Sequence, residues 1–375
     1  MAHQPPRRSL IPRRAAGVSD TEAAHSAPKP GPPASVERTV VNSAVYRDGA
    51  KIATPATLAE ALTALPDESS MAWIGMYRPE NNQLYAAAEQ FDLHELAVED
   101  AILAHQRPKL ERYGDTLFVV LRAARYCDDT ERVEFGELHV FCGKTFVLTV
   151  RHSESPDLSA VRARMESDPD LLRLGPEAVL YAILDAVVDG YAPVVAGLQN
   201  DIDEIETEVF SGDPGVSRRI YELTREVIEF QRATKPLLGM LRSLAVGFEK
   251  YNTDEELRRY LRDVTDHATV VVERADGFRQ LLGNILTVNA TLVSQAQNEE
   301  MRHLTQASYV QNEEVKKVSS WAAILFAPTL IGTVYGMNFD VMPETHWEFG
   351  YPFAIGLMVL TCAGLYTVFK RRGWL

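Results

Sequence analysis

Stepping by three and four from Val315 towards the C-terminus gives Val318, Ala322, Phe326 or Leu325, Thr329, Thr333 or Gly332, and Gly336. This helical stripe starts apolar and ends in hydroxyls. Small and hydroxyl-bearing residues within an apolar helix mark helix contacts or a water-lined path, and around a symmetry axis copies of this stripe would line a pore. Two helices cannot enclose a channel, so a pore requires several chains. Other chemistry is thin. The nine histidines are scattered, His94-Glu95 lacks the second His of H-E-x-x-H, and neither a nucleophile triad nor a phosphate-cradling Gly-rich loop is present. Cys127, Cys142 and Cys362 are spaced too widely for a disulfide framework or a zinc knuckle and read as packing thiols in a reducing compartment. An enzyme is therefore the least supported class. Asp201, Asp203, Glu204, Glu206 and Glu208 crowd into eight residues, which reads as a solvated helix face or as an attractor of divalent cations.

The stripe lies in the first of two charge-free runs, 22 residues from Val318 to Phe339 and 21 from Phe349 to Phe369. Each matches the roughly 20 residues that cross about 30 Å of hydrocarbon, so the C-terminal segment 318–375 reads as a lipid-embedded hairpin. Lys316 and Lys317 precede it, Lys370, Arg371 and Arg372 follow it, and the connecting loop 340–348 has no Lys or Arg. Both ends are thus expected to face the cytoplasm. Asp340, Glu344 and Glu348 then place three carboxylates per chain on the outer side.

The 375 residues carry 46% hydrophobic and 24% charged residues and a net charge of -14, which excludes wholesale disorder and argues against nucleic acid as a partner. Residues 1–38, rich in Pro and Arg, read as a disordered tail. Residues 39–168 alternate β-type runs (Met71 to Tyr77, Thr116 to Leu121, Leu138 to Phe141, Phe146 to Val150) with helical ones (Leu58 to Leu65, Leu93 to Ala104), as expected of an α/β or α+β soluble domain. Cys142-Gly143-Lys144 predicts a hairpin. From 169 to 317 the pattern is helical, with breaks expected near residues 211–215, at Pro236 and at residues 252–254. Gln297-Asn298-Glu299-Glu300 recurs as Gln311-Asn312-Glu313-Glu314, 14 residues on. That is two heptads, the signature of a stalk packing against copies of itself.

At the outer end of the first span stands Tyr335-Gly336-Met337-Asn338-Phe339, then Met342-Pro343-Glu344, then Tyr351-Pro352. Together with Leu96-Ala97-Val98-Glu99-Asp100, His105-Gln106-Arg107-Pro108-Lys109 and Arg262-Asp263-Val264-Thr265-Asp266-His267, this resembles the CorA family of magnesium transport proteins from about residue 39 to the end. The resemblance implies a homopentameric funnel: an α/β cytoplasmic domain, long stalk helices and two C-terminal transmembrane helices. It implies an ion entrance at Tyr335, Gly336, Met337 and Asn338, and hydrophobic constrictions at Val315, Val318 and Phe326. A regulatory Mg²⁺ is implied between neighbouring subunits, with Glu99 or Asp100 from one and Asp263 from the other. Physical chemistry fits the assignment of Asn338. Mg²⁺ dehydrates reluctantly, and a ring of neutral amides can hold it through its waters without trapping it.

The expected function is passive uptake of Mg²⁺, with Co²⁺ and Ni²⁺ as passengers, across the cytoplasmic membrane and under feedback from cytoplasmic Mg²⁺. Two alternatives stand beside it: a zinc transporter of the same superfamily, and a membrane-anchored scaffold that conducts nothing. The polar quasi-repeat suggests a stalk longer than the family's.

Overall fold

The computed structural model describes residues 40–375 except 68, 105, 252, 339–341 and 344–346. The tail 1–38, His105, Phe339, Asp340 and Glu344 therefore lie outside the described residues. Seven strands form one mixed sheet: β1 (Val40–Arg47), β2 (Ala50–Ala53), β3 (Ser70–Tyr77), β4 (Lys109–Tyr113), β5 (Thr116–Cys127), β6 (Arg132–Cys142) and β7 (Phe146–Arg151). Their order is β2-β1-β3-β7-β6-β5-β4, with β3 and β7 parallel and every other pair antiparallel. The hairpin at Gly143 joins β6 and β7 as expected, and Gly143 donates its N–H to the carbonyl of Phe146.

Both faces of the sheet are covered, and alternation along the strands divides the core in two. Val45, Ile74, Val120 and Leu148 face the short helices α1 (Leu58–Thr63), α2 (Asn81–Phe91) and α3 (Glu95–Leu103). Tyr46, Trp73, Val119, Leu121 and Val140 face the other way. On that side lie α4 (Leu158–Glu166), the one-turn α5 (Pro169–Leu172), α6 (Pro176–Asp189), α7 (Tyr191–Ser211), α8 (Val216–Lys250) and the first part of α9 (Glu255–Tyr335). Tyrosines tie the long helices to strand β5: Tyr191 donates to the carbonyl of Arg122 at 2.6 Å, and Tyr126 donates to Asp201 on α7 at 2.8 Å.

Helix α8 runs without interruption through Pro236, where a break was expected. An internal proline costs about 3 kcal/mol. The flanking Ala233, Thr234, Leu237, Met240 and Leu241 are all buried, and burial of the larger ones offsets that cost at about 1.5–3 kcal/mol each.

Helix α9 is 81 residues long, about 120 Å at 1.5 Å per residue. Its first part buries Leu257, Leu261, Val264, Ala268, Val271, Ala275, Phe278, Leu282 and Ile285 at helical spacing. Between 290 and 319 no residue is buried, and beyond Leu292, which still packs against the core, about 40 Å of helix stands clear of the domain. Beyond it, α9 packs against α10 (Gly350–Arg371). Among the described residues three helical segments are long and apolar enough to cross a membrane, but 61% of the window in Pro176–Ser211 is buried within the fold, against 11% in α9 and 0% in α10. The first belongs to the soluble core; α9 and α10 present apolar surface that only lipid or other chains can cover.

Candidate functional site

Helix α10 covers one side of the apolar C-terminal end of α9. Ser320 and Ile324 are buried there, Ile331 and Tyr335 are half-buried, and the Cys362 thiol lies 3.5 Å from the carbonyl oxygen of Ile324. Val315, Val318, Ala322, Phe326, Thr329 and Thr333 are all exposed. At about 100° per residue, this stripe centres about half a turn from the α10 contact. Of the paired alternatives, Gly332 turns towards α10, since a Cβ there would lie 3.7 Å from Met358, so Thr333 carries the stripe. Leu325 and Phe326 are both exposed and flank it on either side.

The stripe ends at the helix C-terminus. The N–H of Gly336 bonds to the carbonyls of Gly332 and Thr333, and that of Met337 to Val334. The negative end of the helix dipole thus sits beside the exposed Gly336, Met337 and Asn338, favouring a cation at that end. Glu348, in the following turn, is exposed.

The carboxylates expected to hold a regulatory ion are set apart within one chain. Glu99 and Asp100 lie on α3, on one side of the sheet, and Asp263 lies on α9, on the other. Glu99 is exposed, whereas Asp100 is half-buried and pairs with Lys109 at 2.6 Å. Lys109 also bonds to Glu111 at 2.9 Å. Burial lowers the Lys109 pKa, but its bonds to the two carboxylates outweigh that and hold it above the usual lysine range. Asp263 is exposed. Near it the fold places residues that the sequence reading passed over: Asp185, paired with Arg164 at 2.8 Å, and Asp189, 3.9 Å from the His267 ring. Burial, with Asp185 and Asp263 adding repulsion, raises the Asp189 pKa. Their i, i+4 spacing on α6, whose other residues after Glu177 carry no charge, was the available signal. Among the described residues no group of three or more His, Cys, Asp or Glu within one chain is arranged to hold a metal ion.

The acidic run on α7 is in large part a solvated face, with Asp203, Glu204 and Glu206 exposed, and several of its carboxylates have partners. Arg219 of α8 pairs with Glu204 at 2.6 Å, with Glu131 at 3.1 Å and with Glu208. Asp203 accepts from Gln199 at 2.7 Å. Asp201 is buried beneath Tyr126.

A layered α/β domain is thus joined by one unbroken helix to an apolar pair of packed helices. The sequence profile described as CorA-like Mg2+ transporter protein matches residues 68–371, and the chain belongs to that family, whose members are transporters and not enzymes. It is 31% identical over 304 residues to the putative metal ion transporter YfjQ of Bacillus subtilis, covering 80% of this chain and 89% of that protein. It is 29% identical over 322 residues to the cobalt/magnesium transport protein CorA of Thermotoga maritima, covering 84% and 87%. Solved structures of other proteins share the fold. The complete CorA magnesium transporter of Methanocaldococcus jannaschii is 19% identical with a TM-score of 0.51, covering 89% of this chain and 99% of that one. The ZntB cytoplasmic domain of Vibrio parahaemolyticus is 12% identical with a TM-score of 0.50, covering 60% and 88%. The chain is thus a member of the CorA-like divalent metal transporter superfamily.

Proposed function

We propose that this protein is a passive Mg²⁺ channel of the cytoplasmic membrane, also open to Co²⁺ and Ni²⁺, formed by a homopentamer with both termini in the cytoplasm. The observation that carries this reading is the position of the Val315-to-Thr333 stripe, exposed on the side of α9 turned away from α10. With α10 outside, several copies of α9 bring their stripes to one axis. Asn338 supplies a ring of amides at the outer mouth, and hydrated Mg²⁺ meets it through water. The helix C-termini add their dipoles to the attraction. Further in, Thr329 and Thr333 offer hydroxyls, and Phe326, Val318 and Val315 narrow the path with surfaces that exclude water when close together. An inside-negative potential contributes about 2.3 kcal/mol per charge per 100 mV, twice that for a divalent ion, so uptake needs no other energy source.

Feedback is assigned to a cytoplasmic Mg²⁺ held between neighbouring chains by Glu99 or Asp100 of one and Asp263 of the other, with Asp185 and Asp189 adding negative charge beside Asp263. The placement of α3 and α9 on opposite faces of the sheet suits a site that only two chains can complete. Carboxylates that repel when bare hold the chains together when the ion is bound.

The test is Mg²⁺ influx into liposomes that contain a Mg²⁺-sensitive dye and low internal Mg²⁺. Wild-type protein should conduct, and Asn338→Ala should reduce influx about tenfold, the equivalent of about 1.4 kcal/mol lost at the entrance. Wild-type vesicles that admit Zn²⁺ but not Mg²⁺ would move the assignment to a zinc transporter. Vesicles that admit neither would leave a non-conducting scaffold.

A further inference from the structure

Strand β4 is an edge strand, paired only with β5, and it follows α3 after a five-residue connection. Lys109 opens it. The ammonium of Lys109 sits 2.6 Å from Oδ2 of Asp100 and 2.9 Å from Oε2 of Glu111, with the Phe118 ring centroid 5.7 Å away. Lys109 and Glu111 are two residues apart and therefore project from the same face of the strand. The Lys109 and Asp100 side chains are 28% and 20% exposed, so the charges are partly shielded from solvent yet open to a neighbouring molecule at the sheet edge.

We infer that Lys109 is a tethered competitor for the divalent cation at Asp100, and thereby sets the Mg²⁺ concentration at which the cytoplasmic site fills. This inference rests on the reading of Asp100 as a regulatory ligand. The physical case is one of occupancy. A carboxylate oxygen bonded to an ammonium at 2.6 Å already has a cation in the space that a hydrated metal ion would take. Because Lys109 is held on the same chain nine residues away, it competes at a fixed high effective concentration, whereas Mg²⁺ competes only at its cytoplasmic concentration. Glu111 is the other half of the device. It offers the ammonium a second position 2.9 Å away, so Lys109 can yield Asp100 to a metal ion without losing a carboxylate partner.

Charge counting gives opposite signs for two substitutions. Asp100, Lys109 and Glu111 sum to -1. Lys109→Met makes the cluster -2 and removes the competitor, so Mg²⁺ should bind more tightly. Glu111→Gln makes the cluster neutral and leaves the ammonium with Asp100 alone, so Mg²⁺ should bind more weakly. Lys109→Arg keeps the positive charge and should not tighten binding.

The experiment is limited proteolysis of the full-length protein in lipid nanodiscs across a series of free Mg²⁺ concentrations, reading the midpoint of protection. Lys109→Met should lower the midpoint about tenfold, Glu111→Gln should raise it, and Lys109→Arg should not lower it. A purely structural role for Lys109 would change protease resistance equally at every Mg²⁺ concentration and leave the midpoint in place. Protection with the same midpoint in wild type, Lys109→Met and Glu111→Gln overturns the inference alone. If wild type shows no Mg²⁺-dependent protection at all, the regulatory reading fails and takes this inference with it. Should Lys109→Met not fold, Glu111→Gln still decides the sign.

Discussion

Cysteine substitution along α9 separates a pore-lining face from a packed one. The comparison sets Thr329→Cys and Thr333→Cys against Ile324→Cys and Ile331→Cys, in protein carrying Cys127→Ser and Cys362→Ala. Cys142 stays in place: it is buried, and burial pushes its thiol well above the ordinary range, so little reactive thiolate forms there. At about 100° per residue, the two threonines stand about 140–200° around the helix from the two isoleucines. A thiol in a water-filled path ionises near its usual value of about 8.5, whereas one pressed against α10 pays for burying its charge. Shielding worth about 2.7 kcal/mol there would cut the rate of modification by a charged methanethiosulfonate reagent about 100-fold. Reagent added outside proteoliposomes should therefore block Mg²⁺ influx through the Thr329→Cys and Thr333→Cys proteins about 100-fold faster. Equal rates at all four positions, or faster block at Ile324→Cys, would refute the assignment of this face to the pore.

Two further predictions concern the soluble half. A Cβ on Gly197 would lie 2.5 Å from the Tyr126 ring, so Gly197→Ala must push α7 off strand β5, and thermal unfolding should show a loss of about 1–3 kcal/mol. Burial raises the Asp201 carboxyl pKa above its ordinary value, and the hydrogen bond from Tyr126 only partly opposes that. The folded chain therefore binds this proton more tightly than the unfolded chain. The stabilisation it gives is full below the unfolded value and is lost as pH rises through the folded one. Melting temperatures measured from pH 7 down to pH 4 should show Asp201→Asn gaining less on acidification than wild type, and parallel profiles would contradict the assignment.

The apolar centre of the fold was legible because central strands advertise themselves. β3, β5, β6 and β7 contain runs such as Phe146-Val147-Leu148-Thr149-Val150 that are buried on both faces. Edge elements escaped the reading. β4 is Lys-Leu-Glu-Arg-Tyr, and charge on an edge strand guards against unwanted pairing while hiding the strand from a hydrophobicity pattern. The stripe on α9 followed from helical periodicity alone, since a helix against one neighbour must show its other side. Periodicity could not reveal that Asp185 and Asp189 come close to Asp263, or that Arg219 draws three carboxylates around itself, because those contacts join residues far apart in the chain. Pro236 misled through a rule that holds for isolated helices and yields where both flanks are packed.

The unbroken course of α9 also has a mechanical meaning. From Asp263 to Val315 is 52 residues of continuous helix, a rod about 78 Å long. It has no loop at which a rotation could be absorbed, and its two glycines, Gly277 and Gly283, lie within the continuous helix. A tilt of about one degree at the Asp263 end would carry the Val315 side chain sideways by about 1.4 Å, roughly the radius of a water molecule, if the rod pivots as one piece. Small adjustments at the α/β domain would thus arrive at the far end of the helix magnified, by leverage and not by a relay of local rearrangements.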